Sequence, residues 1–218
     1  MAKAVLTISS KNYSSWSLRG WLLCKIAGLD FEEKRQSIDD PGARAELLLL
    51  SPSFLTPALD HKGLHVWDTL AIAEYLNELY PKAKMYPADR LARAHCRSIC
   101  GEIHSGFANL RSALPMNLRA APRHSRIFTG AKPDIARIEA IWQDCLGQYG
   151  RPYLFGERPT VADAMFAPVT RRFLTYGVDM SPASSRYCAT ISDWAPMVEW
   201  IAAAKEEPEE LEALDVDF

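Results

Sequence analysis

The sequence predicts an N-terminal α/β domain followed by an all-helical domain, and three patterns support this fold class. A β-type run, a helical pattern and a second β-type run follow one another over residues 4–38, which is the order of a β-α-β unit. Two further short strands around a tight turn then lead into a helix. Beyond residue 88 the apolar residues recur mainly at spacings of three and four, which is typical of amphipathic helices.

The first half of the α/β domain is predicted to contain two strands and two helices. The first strand covers Ala4–Ile8, and the helix after it closes at Gly28, a residue type favoured just past a helix C-terminus. A second strand is predicted over Phe31–Ile38 and a short helix over Pro41–Leu50. Because a β-α-β crossover joins parallel strands, these two strands should be parallel.

The second half of this domain, Ser51–Pro81, contains a hairpin and a helix. The hairpin turns at residues 61–63, and Pro57 stands at the start of its first strand, where a missing N–H is tolerated. Asp68 precedes apolar residues at helical spacing and is a favourable N-cap. An antiparallel hairpin added to a parallel pair is the thioredoxin-like arrangement, and we predict that this domain covers residues 1–81.

The remaining chain is predicted to be a linker and helices. Residues 82–88 form the linker, and residues 89–218 form the all-helical domain. One long amphipathic helix is expected from Asp89 to Leu114, followed by a basic loop over Asn117–Pro133. Further helices are expected at Asp134–Tyr149, from Thr160 with a capping-box-like Asp163, and at Asp193–Lys205, before an acidic tail over residues 206–218.

The composition indicates an ordinary globular protein of the cytoplasm. Of 218 residues, 48% are hydrophobic and 24% are charged, and the net charge of −2 gives no general attraction for nucleic acid or anionic membranes. Five cysteines without disulfide-like spacing indicate reduced thiols. The first residues are interpreted as a strand rather than a signal peptide, and no apolar run has the length of a membrane span. We therefore expect neither a nucleic acid nor a membrane partner.

Several stretches resemble the cytosolic glutathione S-transferases across both domains. They are Lys11–Arg19 (KNYSSWSLR), Thr56-Pro57, Asp68–Tyr80 and the helix start at Thr160–Asp163. The first stretch is similar to a bacterial serine-type branch close to the theta and zeta classes. The resemblance implies glutathione as co-substrate, a small apolar electrophile, a detoxification role, a homodimer and no metal.

The serines before the first helix are the catalytic residues that the resemblance implies. A hydroxyl at a helix N-terminus can donate to a thiolate, whose charge the helix dipole favours. The same serines would also serve as plain helix caps. We favour Ser14 and then Ser15, while a gap-free family register places Asn12 there and other classes use a tyrosine, here Tyr13.

Two residue pairs are the predicted glutathione contacts. By resemblance, Thr56-Pro57 is a cis peptide bond whose neighbouring backbone binds the cysteinyl part. Asp68 and Thr69 would bind the ammonium and carboxylate of the γ-glutamyl end at a helix N-terminus. Phe54-Leu55 stands where relatives often carry Gly-Lys, so the glycine carboxylate needs another partner, such as Lys11 or His61.

One face of the long predicted helix carries the second-substrate pocket that the resemblance implies. Cys96, Cys100 and His104 repeat every four residues, but three ligands on one helix reach a common ion poorly, so we reject a metal site. The predicted pocket residues are His104, Phe107, Arg111 and Met116.

Three functions stay open at this point. The leading one is a glutathione transferase, and the others are a zeta-like glutathione-dependent cis–trans isomerase and a non-catalytic glutathione-binding or scaffold protein. A second face of the long helix, with Ala94, Ser98, Gly101 and Ser105, is the predicted dimer contact, because small residues allow close helix approach.

Overall fold

The computed structural model describes residues 4–37, 56–122 and 128–208, and element labels below count the elements in these ranges. Four strands form one mixed sheet in the order β2-β1-β3-β4. Strands β1 (Ala4–Ile8) and β2 (Phe31–Arg35) are parallel, while β3 (Ala58–His61) runs antiparallel to β1 and to β4 (Leu64–Trp67). The predicted combination of a parallel pair and a hairpin is confirmed. The helix predicted at residues 41–50 lies outside the described residues.

Helix α1 (Ser15–Ala27) occupies the centre of the molecule. It contacts β1 in its own domain and two helices of the helical region. It is therefore buried nearly all round, and Leu18, Trp21 and Leu22 have no exposed surface. Gly28, at φ 68°, ends the helix as predicted, because a residue without Cβ adopts this left-handed conformation without steric cost. Helix α2 (Thr69–Leu79) completes the described part of the first domain.

The helical region contains six α-helices in the described ranges. They are α3 (Arg90–Ser105), α4 (Ala108–Ala113), α5 (Lys132–Gln148), α6 (Val161–Thr175), α7 (Pro182–Asp193) and α8 (Ala195–Lys205). The predicted capping box of Thr160 and Asp163 is present and begins α6. Helix α7 was not predicted, although Ser181 caps it and Pro182 occupies its first turn.

The single long helix predicted from Asp89 to Leu114 is wrong. Helix α3 ends at Ser105, Phe107 takes a left-handed φ of 63°, and α4 begins at Ala108. Arg111 bonds the backbone oxygens of Ile103 and Gly106 at the end of α3, so its side chain satisfies carbonyls that a continuous helix would have bonded internally. The apolar spacing continued across the break because α3 and α4 both bury residues in the same core.

The predicted linker is packed rather than loose. Pro81–Ala83 forms a 3₁₀ turn, and Met85 is fully buried. The Met85 oxygen accepts a hydrogen bond of 2.9 Å from the Val161 N–H at the start of α6. Residues 82–88 thus contribute to the contact between the sheet domain and the helical region. In the described part of the chain, no helix combines the length and apolar character that crossing a membrane requires.

Candidate functional site

The two serines that the sequence predicts as catalytic residues make different hydrogen bonds at the start of α1. Ser14 is the N-cap: its Oγ accepts the Ser17 N–H at 3.2 Å and donates to the Ser17 Oγ at 2.9 Å. The Ser15 Oγ instead accepts a hydrogen bond from Arg172 Nη2 at 3.3 Å. Both serines are buried. The hydroxyl hydrogen of Ser14 is therefore engaged, whereas that of Ser15 has no acceptor among the described residues.

The two alternatives in the preceding loop also differ. Asn12 is fully buried, and its Oδ1 accepts the N–H groups of Leu118 and Arg119 at 2.7 and 3.0 Å. Its Nδ2 has no hydrogen-bond partner among the residues that the structure describes. The Tyr13 hydroxyl accepts from Arg119 Nη2 at 3.1 Å. Asn12 thus keeps two N–H donors beside the helix start, while Tyr13 is bound to the helical region.

Glu207, just after α8, holds this same loop. Its carboxylate accepts the Lys11 N–H at 2.7 Å, the Asn12 N–H at 3.1 Å and the Ser10 hydroxyl at 2.8 Å. Its side chain is 3% exposed, and Arg35 pairs with it at 3.4 Å. The acidic tail predicted from residue 206 therefore contains a buried carboxylate, that of Glu207, which binds backbone donors of the β1–α1 loop.

The Thr56-Pro57 peptide bond is cis, as predicted. It packs directly on α1, because a Cβ added to Gly20 would lie 2.5 Å from the Pro57 Cβ. Thr56 is buried, and its hydroxyl donates to the Ser9 Oγ at 3.4 Å. Glycine at position 20 is what lets the Thr56-Pro57 turn lie against α1.

Asp68 and Thr69 meet a residue from the helical region. Asp68 caps α2 as predicted, with its Oδ1 accepting the Leu70 and Ala71 N–H groups at 2.8 and 3.2 Å. Its Oδ2 lies 3.0 Å from His104 Nε2, and the Thr69 Oγ1 lies 3.3 Å from His104 Nδ1. Asp68 also has a φ of 73°, a sparsely populated conformation for a residue with a side chain, and such outliers cluster at ligand-binding sites.

The electrostatics keep the Asp68 carboxylate charged. Burial alone would raise the pKa of Asp68, but the hydrogen bond and charge of His104 and the N–H groups of Ala71 and Leu70 outweigh it. The net effect lowers the pKa of Asp68 below its usual value. A negative charge at this position suits an ammonium ligand.

The four predicted pocket residues divide into two pairs. His104 contacts the edge of the Trp16 ring with centroids 5.1 Å apart, and the Arg111 guanidinium lies 4.8 Å from the same ring. Phe107 and Met116 are buried in the common core. His104 and Arg111 thus lie beside the start of α1, whereas Phe107 makes the α3–α4 turn and Met116 supports the packing.

Three buried arginines surround the start of α1. Arg19 donates from Nε to the Met165 oxygen at 2.8 Å, and Arg172 donates from Nε to the Leu114 oxygen at 2.7 Å. Arg19 also lies 4.6 Å from the Trp16 ring. Burial, and then mutual repulsion with Arg111, lowers the pKa of Arg172 to about 9, and burial lowers that of Arg111 to about 10. At neutral pH both remain cations.

The two residues suggested for the glycine carboxylate are poorly suited to it. The Lys11 ammonium pairs with Glu33 at 2.6 Å and lies over the Trp200 ring. His61 contacts the Tyr75 hydroxyl at 3.1 Å, and burial followed by the charge of Lys62 lowers its pKa, which disfavours the charged imidazolium that a carboxylate would bind. Phe54-Leu55 lies outside the described residues.

Comparison with known proteins decides the family. The model of the glutathione S-transferase N-terminal domain matches residues 13–79, and that of the C-terminal domain matches residues 102–203. The chain belongs to the glutathione S-transferase family. The first match includes the start of α1, Asp68 and Thr69. The second match includes His104, Arg111 and Arg172, which the fold brings close to them.

Among curated glutathione S-transferase relatives, the chain is 27% identical over 180 residues to a probable maleylacetoacetate isomerase of Caenorhabditis elegans, covering 83% of both chains. It is 28% identical over 187 residues to the maleylacetoacetate isomerase of Rattus norvegicus, covering 83% of this chain and 82% of that one. A glutathione transferase homologue from Burkholderia gl BGR1, solved with bound glutathione, matches with a TM-score of 0.71 at 22% identity over 94% of this chain and 99% of that chain. The fold is thus that of a glutathione S-transferase.

Sequence reasoning missed four residues of this candidate site. Trp16 and Arg19 were read as part of the family motif, Arg172 as part of a helix, and Glu207 as part of a tail. For Arg172 the sequence did contain a signal, because this arginine stands in a mostly apolar helical segment. In the structure most residues of that segment, helix α6, are buried. Glu207 gave no such signal, because it stands in the mostly acidic run EEPEE over residues 206–210.

The cysteines on α3 belong to the hydrophobic core. Cys96 and Cys100 are buried free thiols. Within the ranges that the structure describes, no group of three or more His, Cys, Asp or Glu side chains is placed to hold a metal ion. The polar groups that the structure places at the start of α1 are hydroxyl, amide and guanidinium groups.

Proposed function

We propose that this glutathione S-transferase family member binds glutathione beside α1 and ionises its thiol for attack on an electrophile. Thr56 would bind the cysteinyl backbone, and Asp68 and Thr69 would bind the γ-glutamyl ammonium and carboxylate. The observation that carries the proposal is the Ser15 hydroxyl, which lies in the first turn of α1 and accepts a bond from Arg172.

The physical basis is selective stabilisation of the thiolate. A free thiol has a pKa of about 8.5, so lowering it by about 2 units makes the thiolate the dominant form at neutral pH. The Ser15 hydroxyl, the first-turn N–H groups of α1 and the Arg172 cation all favour a negative charge placed there. Ser14 caps the helix and has no free hydroxyl hydrogen, so we assign the thiolate contact to Ser15 before Ser14.

The pKa of enzyme-bound glutathione tests this assignment. We expect Ser15→Ala to raise the thiol pKa, followed by ultraviolet absorbance of the thiolate, by about 1 unit and to lower turnover on an aryl halide at least about tenfold. Ser14→Ala is the matched control and should mainly lower the melting temperature through the lost cap. A thiol pKa that shifts in Ser14→Ala and not in Ser15→Ala would return the role to Ser14. A wild-type pKa equal to that of free glutathione would support the non-catalytic binding protein.

A second candidate function is cis–trans isomerisation that uses glutathione without consuming it. The two curated relatives named maleylacetoacetate isomerase favour it. Both reactions begin with thiolate attack, and in the isomerase the thiolate is expelled again after bond rotation. Incubation with a cis-unsaturated acid separates them: the isomerase yields the trans product with glutathione unchanged, while the transferase yields a stable conjugate.

A further inference from the structure

Ser17 lies in the first turn of α1 and is fully buried. Its Oγ accepts the Ser14 hydroxyl at 2.9 Å and, at 3.0 Å, the N–H of Ser9, which follows β1. A hydroxyl oxygen has two lone pairs, and these two bonds occupy both. In the 3.3 Å contact between the Ser17 and Ser9 hydroxyls, Ser17 is therefore the donor. Ser17 thus makes all three hydrogen bonds that one hydroxyl can make.

The hydrogen bonds of Ser17 continue to the cis peptide turn. The Ser9 Oγ also accepts the Thr56 hydroxyl at 3.4 Å. One row of buried hydroxyls therefore joins Ser14, Ser17, Ser9 and Thr56. The same two segments meet again one turn further along α1, where Gly20 packs directly on Pro57. Helix α1 is thus attached to the Thr56-Pro57 turn at two points, and Ser17 makes the one nearer to the helix start.

Helix α7 contains the same pair of serines without such a row. Its N-cap Ser181 donates to the Ser184 Oγ at 3.0 Å and accepts the Ser184 N–H at 3.2 Å, as Ser14 does with Ser17. Ser184 is fully buried too. Among the described residues, the side-chain hydrogen bonds of Ser184 stay within its pair, whereas those of Ser17 also reach Ser9. Capping of a helix by this pair therefore does not require the bonds to Ser9.

We propose that Ser17 is a positioning residue that holds the first turn of α1 at a fixed distance from the Thr56-Pro57 turn. This inference rests on the proposed function, in which Ser15 contacts the glutathione thiol and Thr56 contacts the cysteinyl backbone. Both contacts involve one residue of the ligand, so both form together only when α1 and the turn are correctly spaced. Ser17 acts through Ser14 and Ser9, and the ligand contacts are made by the residues on either side of this row.

The pKa of the bound glutathione thiol and the affinity for glutathione test this role. We expect Ser17→Ala to raise that pKa by about 1 unit and to weaken glutathione about threefold at neutral pH, because a displaced first turn stabilises the thiolate less. Ser184→Ala is the matched control. It removes the equivalent bond in α7, so it should lower the melting temperature and leave both values at wild type. Ultraviolet absorbance of the thiolate and calorimetric titration measure the two quantities.

Ser9→Ala separates the row of hydroxyls from the helix cap. It removes the oxygen that accepts from Ser17 and Thr56 and leaves the two bonds between Ser14 and Ser17 in place. We expect it to raise the thiol pKa by about half a unit, since the Ser9 N–H still bonds Ser17. If Ser17→Ala does not fold, Ser9→Ala and Ser17→Cys, whose sulfur is a weaker acceptor of similar size, test the proposal.

Wild-type values of the thiol pKa and of the glutathione affinity in Ser17→Ala and Ser9→Ala overturn the positioning role. Equal changes in Ser17→Ala and Ser184→Ala also overturn it, because they would follow from lost stability alone. A change in Ser17→Ala with none in Ser9→Ala reduces Ser17 to a part of the helix cap and overturns the link to Thr56.

A wild-type thiol pKa equal to that of free glutathione overturns the proposed function instead. Glutathione affinity then decides the role of Ser17: it is retained if Ser17→Ala weakens glutathione and Ser184→Ala does not, and it is overturned if neither does.

Discussion

Asp68 shows how one side chain serves both the fold and the candidate site. Its Oδ1 satisfies two first-turn N–H groups of α2, which is a structural task. Its Oδ2 faces His104 and carries the charge proposed for the glutathione ammonium. The positive φ of Asp68 aims these two oxygens in different directions without a glycine. Removing the charge while keeping the cap should separate the two tasks.

We expect Asp68→Asn to weaken glutathione at least about tenfold, because asparagine caps a helix about as well as aspartate but lacks the charge. Asp89→Asn is the control, since Asp89 caps α3 through the Ala92 N–H at 2.8 Å. Calorimetric binding and thermal melting measure the two effects. A glutathione affinity equal to wild type in Asp68→Asn would leave Asp68 as a helix cap alone.

The pH dependence of Asp68 has a definite sign. Its folded pKa is lowered, so its contribution to the free energy of unfolding is fully present above the unfolded value of about 3.9 and is lost as the pH falls through the folded pKa. The difference in the free energy of unfolding between wild type and Asp68→Asn should therefore shrink as the pH falls from about 3.9 through the folded pKa of Asp68.

At the level of elements, the β1–α1 loop is held from the helical region as much as from its own domain. Glu207 accepts two of its N–H groups, Trp200 Nε1 donates to the Lys11 oxygen at 2.9 Å, and Asn12 binds the backbone after α4. The loop leads directly into Ser14 and Ser15. Its position, and with it the position of the Ser15 hydroxyl, therefore depends on the end of α8.

We predict that Glu207→Ala lowers the free energy of unfolding by about 3 kcal/mol, because it leaves buried N–H groups without acceptors. It should also raise the thiol pKa of bound glutathione by displacing the first turn of α1. Glu207→Gln keeps one acceptor oxygen and should recover part of both losses.

Glu206→Ala is the matched control, since Glu206 is exposed. Chemical denaturation and thiolate absorbance measure the two effects. A stability loss with an unchanged thiol pKa would make Glu207 a structural residue only.

At the scale of the whole molecule, one face of α3 is the predicted contact of a homodimer. Ala94, Ser98 and Ser105 are exposed and Gly101 is half-buried, and Leu91 on the same face is 78% exposed. The face therefore does not pack inside one chain. Small residues beside an exposed leucine suit close approach of a second copy around a twofold axis.

We expect light scattering at micromolar concentration to give twice the 24.4 kDa chain mass. Ser98→Arg should reduce it to the monomer mass, because a long charged side chain separates closely packed helices. Ser185→Arg, at an exposed serine of α7, is the control. A monomeric wild type contradicts the dimer, and a dimer unaffected by Ser98→Arg places the contact elsewhere.

The sequence by itself determined the features that depend on local patterns. The β-α-β order, the hairpin, the Asp68 cap, the Thr160–Asp163 capping box and the family motifs at Thr56-Pro57 and Asp68-Thr69 could all be identified, because propensity, capping and motif spacing act over a few residues. The break between α3 and α4 could not, since the side chain of Arg111 and the backbone of Ile103 decide it together.

Only the tertiary structure decided which serine keeps a free hydroxyl and where the cations gather. Arg172 reaches Ser15 across 157 positions of sequence, and Glu207 reaches Asn12 across 195. Such contacts form when α6 and α8 pack against α1 to bury apolar surface, and that packing brings the polar groups with it. The spacing of apolar residues in the sequence predicts which face of each helix or strand is buried. It does not predict which polar side chains come into contact when those faces pack together.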